Sequence, residues 1–476
     1  MHPALGIFIS FALGIISGKF LSLNPFLLIF LSFAFFLSAV FFHKKSKLFP
    51  SDISILFIFL FLGFIWIKPY SLILPEEVLI GEVYVCGKID KPARQFGVFR
   101  TYLIDSNYLI KDGKNIYYPA SILVKDYSQQ DLGSLNYYLF KGKLRKSGYG
   151  YSKYTLYISG KNRPNLVKNS TGIRKSAFVV SEKLAAVIKG SFPEEIAPFV
   201  LSIFLGRRED LSKEIKGIFA DAGTSHILAI SGLHVGIVAW LCLFVLKLVG
   251  FKRKTRLAIA MCLILFYAFI CGLKPPVTRA AIMFICFCLS FLLQRKFFAL
   301  NSLGLAGFAD LLLRPQDLFS ASFQLSFIAV FSIVSGFKYF YVRRKDSQFF
   351  DKIRILFFMS LFANLGLMPL VSFYFSKVYL LNIFTSVVII PYLGIIISSL
   401  SAFLGLYLFS ALRAVLSNSI SFLIFAFLRI NCFLSKLPFS YFEYKFSLSH
   451  VFLYYTVLIT LLCIKVFSAK IHSKIS

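Results

Sequence analysis

The chain has 476 residues, of which 58% are hydrophobic and 18% aromatic, and its formal net charge is +31. Several stretches hold about 18 or more apolar residues with almost no charge, which excludes an ordinary soluble protein and predicts a polytopic α-helical membrane protein. The positive charge is typical of cytoplasmic loops, but it would also attract anionic lipids or nucleic acid. Charge alone therefore does not choose between these partners.

An N-terminal unit of three transmembrane helices is predicted over residues 1–70, from apolar segments at 4–20, 25–42 and 53–69. The basic loop 43–47 lies between the second and third segments, and loops of this kind stay in the cytoplasm. This topology places the N-terminus inside and sends the chain after Pro69 to the extracytoplasmic side.

Residues 76–165 are polar, and their apolar side chains alternate with polar ones, as at Val83 and Val85. Alternation with a period of two predicts strands with one buried face, and Asp112-Gly113 is a hairpin signal. Five or six short strands in this space predict a small β-barrel, similar in size to an OB-fold. The sequence therefore places an extracytoplasmic barrel after the third span.

The region 76–190 contains 19 Lys or Arg against 9 Asp or Glu, interleaved with tyrosines. Basic side chains bind phosphates and aromatic faces stack on unpaired bases, so the combination favours a surface that captures single-stranded DNA. The alternative is that the tyrosines fill the barrel core and the lysines are only solvated. The candidate DNA-capture residues are Lys88, Arg94, Arg100, Lys125, Lys143 and Arg145.

Three short helices are predicted over residues 170–222. The first begins near Ser176, the second begins at Pro193, and the third begins at Ser212 and stops at Gly223. Each is too short or too polar to cross a bilayer, so we expect amphipathic helices that lie along the outer membrane surface.

Residues 223–470 are predicted to form the transmembrane core. Its nine spans are at about 225–249, 257–273, 277–294, 297–313, 321–341, 353–373, 379–409, 414–435 and 449–467. Basic residues collect in alternate loops, which gives about twelve spans in all, with both termini cytoplasmic. Pro391 lies within the long span 379–409 and indicates that this span could consist of two half-helices.

The stretch from Asp221 to Val238, D-A-G-T-S-H-I-L-A-I-S-G-L-H-V-G-I-V, carries polar side chains at the mouth of an apolar span. Such groups are costly in lipid, so we expect them to line a polar path through the membrane or to bond to neighbouring helices. Ser231-Gly232 is a plausible place for the helix to kink or unwind. The candidate path residues here are Thr224, Ser225, His226, Ser231, Gly232 and His234.

Two later polar residues, Arg279 and Gln324, are further candidates for the path. Arg279 follows Pro275-Pro276 at the predicted start of a span, where its guanidinium could fork onto a phosphate, join an ion pair or reach the interface. Gln324 lies in apolar surroundings and should bond across the helix bundle, as should Asn364 and Asn382.

The segment G-T-S-H-I-L-A-I-S-G-L-H-V (223–235) resembles the signature of the ComEC competence-protein family, the inner channel for DNA uptake in bacteria. Three later segments fit the same family in order: P-P-V-T-R-A-A-I-M (275–283), R-P-Q-D-L-F-S-A-S-F-Q-L-S-F-I-A-V (314–330), and 364–397. The resemblance extends over nearly the whole chain. It implies a DNA channel with an OB-fold-like domain at the position of the predicted barrel.

Neither an enzyme activity nor a cofactor is expected. Many ComEC relatives carry a C-terminal metallo-β-lactamase-like domain, but the six histidines here contain no H-x-H-x-D-H cluster of that kind. His226 and His234 would be about 80° apart on an unbroken helix, so they are a weak metal pair. The sequence also lacks a P-loop and any C-x-x-C pair, which argues against an ATPase, structural zinc and disulfides.

The resemblance favours an inner-membrane channel that takes single-stranded DNA into the cytoplasm during natural transformation, without nuclease activity of its own. Expected partners are single-stranded DNA and the lipid bilayer. A separate nuclease, a DNA receptor, a cytoplasmic ATPase or helicase and a second copy of the chain are further candidates. Two alternatives stay open: a secondary transporter of a smaller anionic solute, and a membrane assembly platform that transports nothing.

Overall fold

The computed structural model describes residues 3–21, 25–44, 48–71, 74–89, 94–96, 99–119, 121–128, 132–147, 154–168, 171–208, 210–341, 348–407, 409–437 and 440–475. The predicted basic loop 43–47 lies partly outside these ranges. The chain divides into two units. The N-terminal unit comprises Gly6–Ser176 and Leu311–Gln316, and the helical unit comprises Met1–Leu5, Ala177–Asp310 and Asp317–Ser476.

Three helices open the chain, at the positions predicted from the apolar segments: α1 (Pro3–Phe20), α2 (Pro25–Lys44) and α3 (Leu48–Ser71). Glycines bring α1 directly against α3. A Cβ on Gly14 would lie 1.9 Å from the carbonyl oxygen of Leu60, and one on Gly63 would lie 2.2 Å from that of Phe11. Small residues allow helices to approach this closely, and in lipid such van der Waals packing is a main source of helix association.

A five-stranded β-barrel follows the short helix α4 (Glu76–Leu79). The strands of this region are β1 (Glu82–Ile89), β2 (Arg94–Phe96), β3 (Phe99–Lys111), β4 (Lys114–Tyr117), β5 (Ser121–Asp126), β6 (Tyr137–Lys146), β7 (Tyr154–Ile158) and β8 (Asn165–Lys168). The barrel runs β1-β3-β5-β7-β6 and closes where β6 pairs with β1, and β5 and β7 are its one parallel pair. The remaining three strands pair at its edges.

The predicted alternation along the strands is confirmed. Val83, Val85, Ile122 and Val124 are all buried in the barrel core, while their neighbours in sequence are more exposed. The hairpin signal is also confirmed, because Asp112 and Gly113 join β3 to β4 with positive φ angles of 48° and 75°. Such angles match the twist of the flanking strands.

Three helices connect the barrel to the rest of the chain: α5 (Ile173–Ser191), α6 (Ala197–Leu205) and α7 (Lys213–Asp221). α5 and α7 bury one side only, as the sequence predicted. The prediction of an amphipathic surface helix is wrong for α6, because eight of its nine residues are buried. A helix that is apolar on all sides belongs inside a protein or a membrane, and here it lies in the core of the helical unit.

Nine helices complete the chain: α8 (Gly232–Leu248), α9 (Arg253–Ile270), α10 (Pro275–Leu292), α11 (Ala299–Leu313), α12 (Ala321–Tyr339), α13 (Gln348–Phe375), α14 (Asn382–Gly405), α15 (Ser410–Ser435) and α16 (Leu448–Ile475). Two short strands pair to form a ribbon: β9 (Lys377–Val378) precedes α14, and β10 (Phe442–Glu443) precedes α16. α14 runs through Pro391 as one helix, so the expected division into two half-helices is wrong.

Each predicted span coincides with one helix, as expected for a polytopic membrane protein. Among the described residues, eight helices are long and apolar enough to cross a membrane, and three more apolar helices are shorter. α9 begins with R-K-T-R and carries more charge than a typical span. The total of twelve spans and the direction of each remain predictions.

Candidate functional site

The stretch predicted to organise the core is not one helix. α7 ends at Asp221, residues 225–228 form a 3₁₀ turn, and α8 begins only at Gly232. Gly223 has φ +73°, and a Cβ there would lie 2.8 Å from the ring of Tyr379, so this position requires glycine. The predicted break at Ser231-Gly232 is therefore present, as the start of a helix.

Ser231 and His234 form the N-terminal cap of α8. The backbone N–H of Ser231 donates to Nδ1 of His234 at 3.3 Å, and the Ser231 hydroxyl lies 3.0 Å from the same nitrogen. His234 is 1% exposed, and its Nε2 has no hydrogen-bond partner among the described residues. His226 lies on the 3₁₀ turn and is exposed. Ser231 and His234 thus organise a helix start at the predicted mouth of the path.

Thr224 ties the same segment to a distant helix. Its hydroxyl donates to Oδ1 of Asn431 on α15 at 2.8 Å, and both residues are fully buried. Asn431 in turn donates to the carbonyl of Phe427 one turn earlier. The sequence reasoning missed Asn431, although an amide inside an apolar helix is a signal for a bond between helices. Ser225 next to Thr224 is only partly buried.

Arg279 is 3% exposed and joins three helices. Its guanidinium donates to Asp310 at 3.0 Å, to the Ser326 hydroxyl at 3.3 Å and to the Ser322 carbonyl at 3.3 Å. It also lies 5.3 Å from the ring centroids of Phe323 and Phe327. Of the three roles considered for Arg279, the structure shows the ion pair: in this conformation the guanidinium is bound by protein groups.

Gln324, Asn364 and Asn382 bond to other helices, as predicted. Gln324 donates to the carbonyl of Leu318 and accepts from the hydroxyl of Tyr374 on α13 at 2.8 Å. Asn382 donates to Asn364 at 3.5 Å, which connects α14 to α13. Each of these side chains therefore has a protein partner on another element of the bundle.

A groove of about 710 Å³ lies between α8 and α14. Of the eight predicted path residues, only Gly232 lines this groove. The groove is also lined by residues that were not predicted, among them Gly236, Trp240, Pro391, Gly394 and Ser398. The glycines are not required by close contacts. A Cβ on Gly232 would meet Ala280 at 3.6 Å, and one on Gly236 would meet nothing within 4 Å.

The six barrel residues predicted to capture DNA lie on five strands, and three of them are neighbours. Lys125, Lys143 and Arg145 surround Tyr157 on neighbouring strands, while Lys88 lies on β1 beside Tyr137. Arg100 is partly buried on β3, and the Arg94 side chain is outside the described residues. The tyrosines also divide. Four tyrosines fill the barrel core, as the alternative interpretation predicted: Tyr102, Tyr118, Tyr138 and Tyr154. Two others, Tyr108 and Tyr117, are exposed.

The two ionised side chains Glu82 and Lys141 pair on the barrel surface at 3.0 Å. The hydrogen bond from Lys141, with a second from Asn162, lowers the pKa of Glu82, and the same bond raises the pKa of Lys141. Both groups are therefore charged at neutral pH. No group of three His, Cys, Asp or Glu side chains suited to a metal occurs among the residues that the structure describes.

Comparison with known proteins identifies the helical unit. The family described as "Competence protein" matches residues 203–467, more than half of the chain. ComE operon protein 3 of Bacillus subtilis (strain 168) is 27% identical over 228 residues, which are 46% of this chain and 29% of that protein. Recombination protein 2 of Haemophilus influenzae is 26% identical over 260 residues, 51% of this chain and 32% of that protein.

An uncharacterized protein of Aquifex aeolicus (strain VF5) is 34% identical over 149 residues, 31% of this chain and 35% of that protein. The alignments thus span about a third of the length of these relatives. No solved structure matches the chain.

Proposed function

Because the chain belongs to the competence protein family, we propose that it is a channel in the cytoplasmic membrane through which single-stranded DNA enters during natural transformation. The match to residues 203–467 carries the proposal, since it covers the G-T-S-H-I-L-A-I-S-G-L-H-V segment and the helices around it. In this proposal both termini are cytoplasmic and the barrel, with an OB-like strand order, is extracytoplasmic.

Physical chemistry sets a requirement for such a channel. A strand of DNA carries a charge on each phosphate, and charged groups are expensive in hydrocarbon, so the strand needs a hydrated route. In the described conformation Thr224, His234 and Arg279 are buried, and both Thr224 and Arg279 are bonded to protein. For a strand to pass, some of these protein hydrogen bonds would have to be replaced by bonds to water or phosphate. The described conformation is therefore the closed state of the proposed channel.

In this function the chain neither cleaves DNA nor hydrolyses ATP. A separate nuclease would remove the second strand, and a separate cytoplasmic motor would draw the strand in. These partners, and the DNA receptor that would deliver the substrate, are part of the proposal.

The test is transformation of a strain that lacks this protein, complemented with the wild-type chain or with Gly232→Leu. The first side-chain carbon at this position fits, because its nearest contact would be 3.6 Å away. The added side chain would extend beside the groove between α8 and α14, at the helix start. We expect Gly232→Leu to insert in the membrane in normal amounts but to abolish DNA uptake.

Gly405→Leu is the matched control, because this glycine also lies in a helix of the same unit and a Cβ there meets nothing within 4 Å. Its DNA uptake should be unchanged. If the deletion strain takes up DNA normally, the proposed function is wrong. Loss of small-anion transport in that strain, with normal transformation, would favour the transporter alternative.

A further inference from the structure

One face of the barrel carries a row of side chains across three adjacent strands. On β6 and β7, Lys143 lies opposite Tyr157, and on β5 and β7, Lys125 lies opposite the same tyrosine. Neighbouring strands are about 4.8 Å apart, so these three side chains are immediate neighbours. Arg145 follows two residues after Lys143 on the same side of β6. We call Lys125, Tyr157, Lys143 and Arg145 the cationic row.

Two of the three cations of this row, Lys125 and Arg145, lie beside aromatic rings, and the third, Lys143, lies opposite Glu82 of β1. Lys125 lies 5.3 Å from the ring centroid of Tyr157 and 5.5 Å from that of Phe99, and Arg145 lies 5.7 Å from Tyr157. A cation above a ring keeps its charge and its N–H donors available to an anion. None of the ion pairs formed among the described residues involves Lys125, Lys143 or Arg145.

Two nearby lysines, in contrast, form ion pairs with glutamates. Lys141 is paired with Glu82 at 3.0 Å, and Lys146 with Glu76 at 3.7 Å. The carboxylate of Glu82 is thus shared between its partner Lys141 and the facing Lys143, so the row and its surroundings keep a net positive charge. An anionic polymer would find its strongest attraction there.

A pocket of about 340 Å³ opens beside the row. Tyr127, Lys143, Arg145 and Tyr157 line it, and Tyr127 is 41% exposed with its ring centroid 5.2 Å from that of Phe99. Gly142 also lines the pocket, where a Cβ would lie 2.3 Å from the carbonyl oxygen of Tyr157. Backbone therefore forms part of the pocket wall, and the exposed ring of Tyr127 shares the pocket with two cations, Lys143 and Arg145, and with the carboxylate of Glu82.

We infer that this face binds an unpaired nucleic-acid strand, with phosphates at the cationic row and a base stacked on Tyr127. Alternating cations and aromatic faces suit unpaired strands, because a duplex keeps its base faces inside the stack and can offer only its phosphates. The inference rests on the proposed function, for which it names the first contact with DNA. OB-folds commonly bind on their second and third strands, whereas this row begins on the third strand of the barrel, β5, and extends across the fifth, β7, to the fourth, β6.

The test uses the purified full chain in lipid nanodiscs and fluorescence anisotropy with a labelled single strand of about 15 nucleotides and the corresponding duplex. Lys143→Gln with Arg145→Gln removes two charges from the row. The matched control, Lys114→Gln with Lys168→Gln, removes two charges from exposed positions elsewhere on the same barrel. Circular dichroism of each variant checks that the fold is retained.

We expect the row variant to bind the single strand about tenfold more weakly, with the slope of log K against log salt reduced by about 1.4, and the control to bind like the wild type. Tyr127→Leu should weaken single-strand binding and leave duplex binding unchanged. Equal losses in the row variant and the control would overturn the inference, as would a Tyr127→Leu protein that still binds the single strand normally.

Failure of this inference and failure of the proposed function give different results. A wild-type chain that supports transformation, but whose single-strand binding does not depend on the row, refutes only the binding face. A chain whose binding depends on the row, in a strain that transforms normally without it, refutes only the uptake role.

Discussion

The barrel and the helical unit treat their charged side chains in opposite ways. On the barrel, Lys143 and Arg145 are exposed and form no ion pair among the residues that the structure describes. In the helical unit, Arg279 and Asp310 are buried and bonded to each other at 3.0 Å. The difference follows from the surroundings: water solvates a lone cation at little cost, whereas the interior of a helix bundle requires a partner for each charge. The comparison shows that the barrel leaves these cations to water, while the bundle supplies a protein partner for its buried arginine.

The strongest test of this comparison is to neutralise one arginine in each region. Arg279→Met removes the guanidinium that pairs with the buried carboxylate of Asp310 and should lower the free energy of unfolding by about 3–5 kcal/mol. Arg145→Met removes an exposed charge and should change it by less than about 0.5 kcal/mol. Thermal unfolding in a mild detergent measures both. Arg279→Met combined with Asp310→Leu should recover most of the loss; equal stability of the two single variants would contradict the comparison.

A second test compares two glycines. A Cβ at Gly142 would lie 2.3 Å from a backbone oxygen of β7, so Gly142→Ala should destabilise the barrel by about 1–3 kcal/mol. Gly217 in α7 has nothing within 4 Å of that position, so Gly217→Ala should stabilise its helix by up to about 1 kcal/mol. Limited proteolysis compares the two variants, since a destabilised barrel is cleaved faster than that of the wild type. A protease-resistant Gly142→Ala barrel would show that β6 and β7 are not so closely packed.

The bond between Thr224 and Asn431 gives a smaller effect. A double-mutant cycle with Thr224→Val and Asn431→Leu should yield a coupling energy of about 0.6 kcal/mol, and at most about 1.7 kcal/mol, as for other bonds between membrane helices. The unfolding free energies of the wild type and the three variants measure it. Ser419→Ala is the control, because among the described residues the Ser419 hydroxyl bonds only within its own helix, to the carbonyl of Val415. Zero coupling would mean that α15 does not hold the 3₁₀ turn through this bond.

The smallest effect is expected at the ion pair between Lys377 and Asp221, which joins the β9–β10 ribbon to α7 at 2.7 Å. Both side chains are partly exposed, so Lys377→Ala should cost no more than about 1 kcal/mol, and less at high salt. Unfolding at low and high ionic strength measures this. A large and salt-independent loss would indicate that Lys377 acts through its packing on Tyr441, 3.8 Å from its ammonium group, instead of its charge.

Much of the fold could be predicted because it depends on local patterns. Apolar runs place the helices, since a bilayer requires about 20 apolar residues for each span. The alternation at Val83 and Val85 and the turn at Asp112-Gly113 place strands and a hairpin for equally local reasons. The break before Gly232 was also readable, because Ser and Gly interrupt an apolar run there.

The errors arose where a partner distant in sequence decides the outcome. α6 reads as a short surface helix, yet it is buried because other helices of the unit surround it. α14 keeps its helix through Pro391, which the sequence alone could not distinguish from a break. Thr224 finds its partner 207 residues later, and no spacing rule connects the two.

The sequence by itself determined which segments are helical, where the barrel lies and which polar residues enter apolar surroundings, because each depends on the chemistry of neighbouring residues. Tertiary structure decided what those polar residues do. It paired Arg279 with Asp310 and Thr224 with Asn431, and it gathered Lys125, Tyr157 and Lys143 into one row from three strands. Hydrogen bonds and ion pairs act over a few ångströms in space, so only the folded chain brings such groups within reach.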